Sequence, residues 1–334
     1  MNSEKQNLYP VRFRPRLKEM LWGGKSLVKY YGKEADERKN IGESWEISGL
    51  GGDLSVVSNG FLKGNTIEEI TEVYMGDLVG DHVYEKYGTE FPLLVKIIDA
   101  NDTLSVQVHP GDELAAERHH AWGKTEMWYV IEAAEDAIIY TGFRHRVSKE
   151  EYLHSLEEKR IKELINATRV KAGDVFYIPA GLVHAIGAGV ILAEIQQTSD
   201  ITYRIYDWDR KDSKGKSRQL HTDLALDAID FEMTGNGLIR KEPETNNTIE
   251  LKSCNYFNTS IIKLDSPVIK DYSLTDSFVI YLCTESSVIV ECFGRQESIK
   301  KGETVLIPAS AEDVTLIPVG TASLLEIYVP NPKK

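Results

Sequence analysis

What most constrains the fold is the way apolar residues are parcelled along the chain. Short runs rich in β-branched and aromatic residues recur, among them "FPLLVKIIDA", "TLSVQVHP", "EMWYVIEA", "DVFYIPA", "GVILAEIQQT", "SFVIYLC" and "SSVIVECF", and Gly, Asp, Asn and Pro separate them. That grammar predicts many short strands closed into a sandwich or barrel. Two stretches break it with helical spacing. Residues 66–88 predict a pair of helices. "SKEEYLHSLEEKRIKELIN" opens with Ser148 and Glu151 placed as a capping box and carries Leu153, Leu156, Ile161 and Leu164 at helical intervals. A third short helix is expected around residues 223–231.

Residues 234–248 are polar, contain Gly and Pro, and lack periodicity, so they read as a linker. The expected division is a catalytic part, residues 1–240, with helical insertions at about 66–88 and 148–166, and a smaller β-rich part, residues 241–334. A weak repeat relates the two. "AGDVFYIPAGLVHAI", from Ala172, is echoed by "KGETVLIPASAEDVT", from Lys301, with Asp313 where the first copy has His184. Two related barrels are expected, the second without the polar site of the first.

Charge narrows the partners. The 334 residues hold 39 Lys and Arg against 52 Asp and Glu, a formal net charge of −13. Nucleic acid and anionic membrane both need a basic surface, so neither is expected as a partner. Three cysteines without metal-type spacing suggest reduced thiols and a cytoplasmic setting. The first fifteen residues, "MNSEKQNLYPVRFRP", lack the apolar core of a signal peptide, and no apolar run is long enough to span a bilayer.

The chemistry begins at His184. Gly173, Pro179, Gly181 and His184 describe a strand stopped by Pro, a tight Gly turn, and a His opening the next strand. Pairing such a His with one on an earlier strand is the cupin arrangement, in which a small β-barrel directs His and carboxylate side chains into its mouth. In "VQVHP", Gln107 and His109 share one strand face, which periodicity alone lets point to water or to a site. Glu126 in "GKTEMWYVI" shares its face with Lys124. Gln107, His109, Glu126 and His184 together offer two nitrogen and two oxygen donors, a set that suits Zn²⁺ better than Mg²⁺ or Ca²⁺. With one negative charge among them, a divalent ion keeps a net positive charge and stays a good Lewis acid. Downstream, "LAEIQQTSDITYRIYDWDRKD" places Glu194, Asp200, Arg204 and Arg210 where they can reach the same mouth. Arg204 could clamp phosphate or an oxyanion, or belong to a self-paired edge strand.

"SVQVHP", "GKTEMWYVI", "AGDVFYIPAGLVHAIG", "EIQQTSDITYRIYDWDRKD", "LWGG", "GESWEIS" and "FPLLVKIIDA" closely resemble the type I mannose-6-phosphate isomerases in their short bacterial form. The resemblance runs in order from about residue 21 to about residue 220 and becomes general beyond 250. It implies a mainly β fold: a cupin-type double-stranded β-helix barrel with inserted helices, plus a smaller degenerate cupin-like β domain. It implies interconversion of mannose 6-phosphate and fructose 6-phosphate with one zinc ion per chain. Gln107, His109, Glu126 and His184 become the metal ligands. Lys124, Glu194, Asp200 and Arg204 fall in the active site, with Lys124, Arg204 and Arg210 as substrate binders. Longer relatives place a Tyr two residues after the second His, where this chain has Ile186.

The reaction moves a proton between C1 and C2 of an open-chain sugar through a cis-enediol. Glu194 and Asp200 are the candidates for taking that proton, with a metal-bound water as a third. The expected state is monomer or homodimer. Two other readings stand beside the isomerase: a cupin oxygenase using Fe²⁺, which would favour a shell richer in His, and a non-catalytic sugar-phosphate sensor.

Overall fold

The computed structural model describes residues 8–211 and 214–331; the first seven residues of the N-terminal stretch discussed above lie outside them. The chain is mainly β and divides into two compact units. One comprises Leu17–Trp45 and Leu94–Arg240, the other Met1–Arg16, Glu46–Leu93 and Lys241–Lys334. The second of these units takes in Glu46–Leu93, with the helices of residues 66–88, as well as the C-terminal sheet.

The first unit is built from two sheets. A seven-stranded sheet runs in the order Leu238–Ile239, Val175–Ile178, Glu126–Ala133, Val190–Gln197, Leu93–Ala100, Arg16–Gly24 and Ile41–Ser48. A five-stranded sheet runs Tyr203–Tyr206, Val106–Val108, His184–Ile186, Ile138–Phe143 and Ile165–Arg169. Their inner faces share one core, in which Trp128, Val130, Phe176 and Leu192 of the larger sheet meet Ile139 and Ile186 of the smaller. The outer face of the smaller sheet is also covered. Val106, Val108, Ala185 and Ile205 join Tyr152 of helix Lys149–Glu157 and Ala225 of helix Thr222–Ala228 in a second buried cluster. So the valines of "VQVHP" face a helical layer, and Gln107 faces the space between the sheets.

The helices follow their sequence signals with one difference. Ser148 accepts a hydrogen bond from the Glu151 amide at 3.1 Å and caps Lys149–Glu157. Residues 66–88 form three short helices, Ile67–Tyr74, Gly76–Val79 and Asp81–Tyr87, rather than two. Thr66 and Glu69 make a complete capping box at the first. Met75 (φ 49°) and Gly80 (φ 94°) then leave the right-handed region and break the run twice. Among the described residues no helix is long and apolar enough to cross a membrane.

"LWGG" is explained by packing. A Cβ on Gly23 would lie 2.5 Å from the Gly42 backbone nitrogen, so only glycine allows these two strands to approach. A Cβ on Gly24 would collide with the Asp99 carboxylate, which accepts the Ser26 amide at 2.7 Å where the short helix Ser26–Lys29 begins.

The second unit carries its own seven-stranded sheet. Its long strands, Val279–Cys292 and Asp313–Tyr328, are bent by register shifts around Glu285 and enclose Val279, Tyr281, Val288, Leu316 and Leu324. The internal repeat is visible in pairing register. Ile178 lies opposite Glu126 in the first unit, and Ile307 lies opposite Val279 in the second. Likewise Glu194 faces Trp128, and Glu326 faces Tyr281. At the place of Glu126 the second copy therefore has an apolar Val279, and Asp313, at the place of His184, is exposed.

Candidate metal centre

Two strand ladders assemble the centre. His184 lies opposite Gln107 in one direction and Thr141 in the other, and Gln107 lies opposite Arg204. Residues directly opposite in an antiparallel ladder present their side chains to the same face. Arg204, Gln107 and His184 therefore form a row on the inner face of the smaller sheet. Glu126 comes from the facing sheet, on the side of its strand that carries Trp128 and Val130 into the core.

His109, Glu126 and His184 converge, all at most 1% exposed. Each imidazole is oriented through Nδ1: that of His109 donates to the Ile201 carbonyl at 2.9 Å, and that of His184 to the Leu182 carbonyl at 2.8 Å. With Nδ1 protonated, both neutral rings turn unprotonated Nε2 lone pairs to the centre, 3.1 Å apart. Glu126 Oε1 lies 3.6 Å from His184 Nε2, and Oε2 lies 3.6 Å from His109 Nε2. Neither Glu126 oxygen has a well-formed hydrogen bond, although Lys124 Nζ approaches Oε2 to 3.3 Å. A buried carboxylate without a well-formed hydrogen bond, beside two converging lone pairs, is costly unless a cation completes it. The spacing fits. Two ligands ~2.0–2.1 Å from zinc at the tetrahedral angle lie about 3.3 Å apart.

Electrostatics agree. Burial pushes the His184 pKa down to about 4 and that of His109 well below its usual value, so both rings are neutral ligands near pH 7. Burial also pushes the Glu126 pKa up to about 7, with the Glu194 charge adding to the effect and Lys124 and Lys96 opposing it. The Gln107 amide meets His184 Nε2 at 3.3 Å through its nitrogen; turned over, it presents Oε1 instead.

Around this cluster lies a second layer. Lys124 Nζ is 3.3 Å from His109 Nε2. Glu194 receives Lys96 Nζ on Oε1 and the Trp128 indole N–H on Oε2, each at 2.9 Å. Lys96 is the largest of several influences that hold the Glu194 pKa down against burial, at about 2. Lys96 also approaches Glu43 Oε2 to 3.9 Å and stands 5.2 Å from the Trp45 ring centroid. The two added carboxylates, Glu43 and Glu194, balance the two ammonium groups, Lys96 and Lys124. The net charge counted from the four candidate ligands alone is therefore preserved.

Arg204 is held by Ser105 Oγ at 3.3 Å and the Gln219 carbonyl at 3.0 Å. Burial, and then Arg218, lower its pKa; a guanidinium remains charged regardless. Arg210 pairs with Asp207 at 2.5 Å and Asp102 at 3.3 Å, and Arg218 reaches Asp207 at 3.5 Å. Asp200 is exposed on the loop after Val190–Gln197. Sequence reasoning missed Lys96, Glu43 and Arg218. A lysine inside the apolar run "PLLVKIIDA" was the available signal, because a buried ammonium must be paired.

Residues 11–145 match the family model of the phosphomannose isomerase type I catalytic domain. The mannose-6-phosphate isomerase ManA of Bacillus subtilis (strain 168) is 43% identical over 225 residues, 66% of this chain and 68% of that protein. The mannose-6-phosphate isomerase of Streptococcus mutans is 42% identical over 220 residues, 66% of this chain and 67% of that protein. The crystal structure of the mannose 6-phosphate isomerase from Bacillus subtilis superposes with a TM-score of 0.85 at 32% identity, covering 96% of this chain and 99% of that one. Similarity of this extent, in sequence and in fold, identifies the chain as a member of the type I phosphomannose isomerase family.

Proposed function

We propose that the protein interconverts mannose 6-phosphate and fructose 6-phosphate in the cytoplasm, by proton transfer between C1 and C2 through a cis-enediol. One zinc ion per chain would be held by Gln107, His109, Glu126 and His184. The observation that carries this reading is the buried His109–Glu126–His184 cluster, oriented through carbonyl-bound Nδ1 atoms, in a chain of this family. When bound, the ion supplies positive charge beside the sugar oxygens on which negative charge develops.

The protein's own groups do the rest. Arg204, in line with Gln107 and His184, offers a fixed guanidinium for an oxyanion or the phosphate. Lys124 sets a second cation beside the cluster, and Arg210 adds a third phosphate partner. Of the two carboxylates considered for the proton, Glu194 has both oxygens engaged by N–H donors and a pKa held at about 2, the wrong direction for a base working near neutrality. We assign it an orienting role. Asp200, exposed on the loop whose Ile201 carbonyl accepts from His109, remains the other carboxylate candidate for the proton.

A coupled assay for fructose 6-phosphate formation tests the proposal, run on the purified chain, after chelation, and with each candidate divalent metal restored. Turnover that disappears on chelation and returns best with zinc supports it. Tight sugar-phosphate binding without turnover would point to a sensor, and oxygen uptake with bound iron to an oxygenase; either result overturns it.

A further inference from the structure

We infer that Lys96 is a positioning residue for the isomerisation: it acts on the reaction through Glu194 and not by touching the substrate. The inference rests on the isomerase reading above.

Lys96 lies on Leu93–Ala100, which is hydrogen-bonded to the Val190–Gln197 strand; that strand in turn pairs with Glu126–Ala133. Glu194 thus stands between Lys96 and the strand that carries Glu126. Lys96 is 5% exposed and Glu194 4%. Neither is a surface ion pair of the kind that contributes little.

The Glu194 carboxylate is fixed at two points, both of them donors: Lys96 Nζ at Oε1 and Trp128 Nε1 at Oε2. Lys96 is itself fixed from the far side by Glu43 and by the face of Trp45. The Trp45 indole N–H donates to Glu43 Oε2 at 2.6 Å, closing a chain of contacts from Trp45 to Trp128. The Trp128 indole meets the His184 ring edge-on, with centroids 5.3 Å apart. A shift of Glu194 is therefore a shift in the wall behind a candidate metal ligand. Other charged groups bearing on Lys96 and Glu194 are Glu126 and Lys124. With Lys96 removed, Glu194 keeps one donor and loses its nearest counter-charge in a dry site.

The chemistry of the two fixed points dictates the test. Both partners of Glu194 are donors, so Gln at 194 can accept from one and must present its own NH₂ to the other. Glu194→Gln, Lys96→Met and the double variant form a thermodynamic cycle. In the coupled assay, each single variant is expected to lower kcat by about 100-fold, with KM within about threefold of wild type. The double variant is expected to match Glu194→Gln within about threefold, because Lys96 has no further route to the reaction. Metal content by mass spectrometry should remain at the wild-type level in all three.

Lys96→Met with kcat within about threefold of wild type would overturn the inference, as would a double variant whose loss is the product of the two single losses. If Lys96→Met fails to fold, two results still overturn the inference: Glu194→Gln with kcat within about threefold of wild type, or a double variant with kcat more than about threefold below that of Glu194→Gln. Wild-type protein without turnover overturns both this inference and the isomerase reading. Active wild type with an unaffected Lys96→Met overturns this inference alone.

Discussion

Gln107 and Arg204 are direct partners across an antiparallel ladder, so the amide that meets His184 on one side meets the strand of a guanidinium on the other. Arg204 is thus placed by backbone pairing, not by a loop. Replacing it with Ala should lower kcat by about 100-fold, the scale of losing one preorganised cationic donor. Metal content should not change, because no metal ligand is touched. An Ala variant with wild-type kcat would remove Arg204 from the mechanism.

His109→Ala should lose both metal retention and isomerisation while far-ultraviolet circular dichroism stays that of the wild type. His109 brings one of the three converging ligand atoms, yet its strand is held by Val106 and Val108 in the outer cluster. A metal-free His109→Ala protein with full activity would eliminate the metal from catalysis.

The affinity of the metal-free protein for a divalent ion should depend on pH through Glu126. Burial lifts its pKa to about 7, so below that pH the carboxyl must lose a proton before it can ligate. The two imidazoles are already neutral there and contribute no slope. Between about pH 5 and 7 the association constant should rise close to tenfold per pH unit and then level off. Titration calorimetry in buffers of different ionisation enthalpy would count the released proton, and a flat affinity over that range would contradict the assignment.

Gln107→Glu should retain zinc and still slow the reaction, by about tenfold or more, because the added charge cancels the residual positive charge of the site. Steady-state kinetics with metal analysis on the same sample would show it. An unslowed variant would mean that net charge at the centre does not govern the rate.

Gly23→Ala should destabilise the fold by about 3 kcal/mol, the upper end of what forced overpacking costs, because the clash is with the backbone of Gly42 rather than a movable side chain. Denaturant unfolding would measure it. A loss below about 0.5 kcal/mol would show that the two strands can part easily.

The fold class was legible because strand-forming runs and turn residues alternate so regularly, and the candidate ligands because each sits in a locally ordered pattern. Gln107 and His109 share a face, and His184 follows a Pro and a Gly turn. What stayed illegible depended on contacts distant in sequence. Lys96 and Glu194 are 98 positions apart, and nothing local marks either as the other's partner. The alternation of "VQVHP" could not say which face met a site: helices cover the valines, and Gln107, half-buried, lies on the face turned to the candidate centre. Three helices stood where two were expected because a non-glycine residue, Met75, adopts a positive φ that sequence gives little reason to anticipate. The grouping of Glu46–Leu93 with the C-terminal sheet was hidden for a related reason, since a chain can leave a unit and return without any change in composition.

The carbonyls of Leu182 and Ile201 do more than orient two rings. By fixing the protons on Nδ1, they oblige the folded chain to turn both Nε2 lone pairs to one point, 3.1 Å apart, with Lys124 Nζ and the Gln107 amide nitrogen each 3.3 Å from one of them. An incoming cation finds both acceptors already aimed, so its binding requires no turning of the rings. Loosening either carbonyl would let a ring turn away and weaken the hold on the ion.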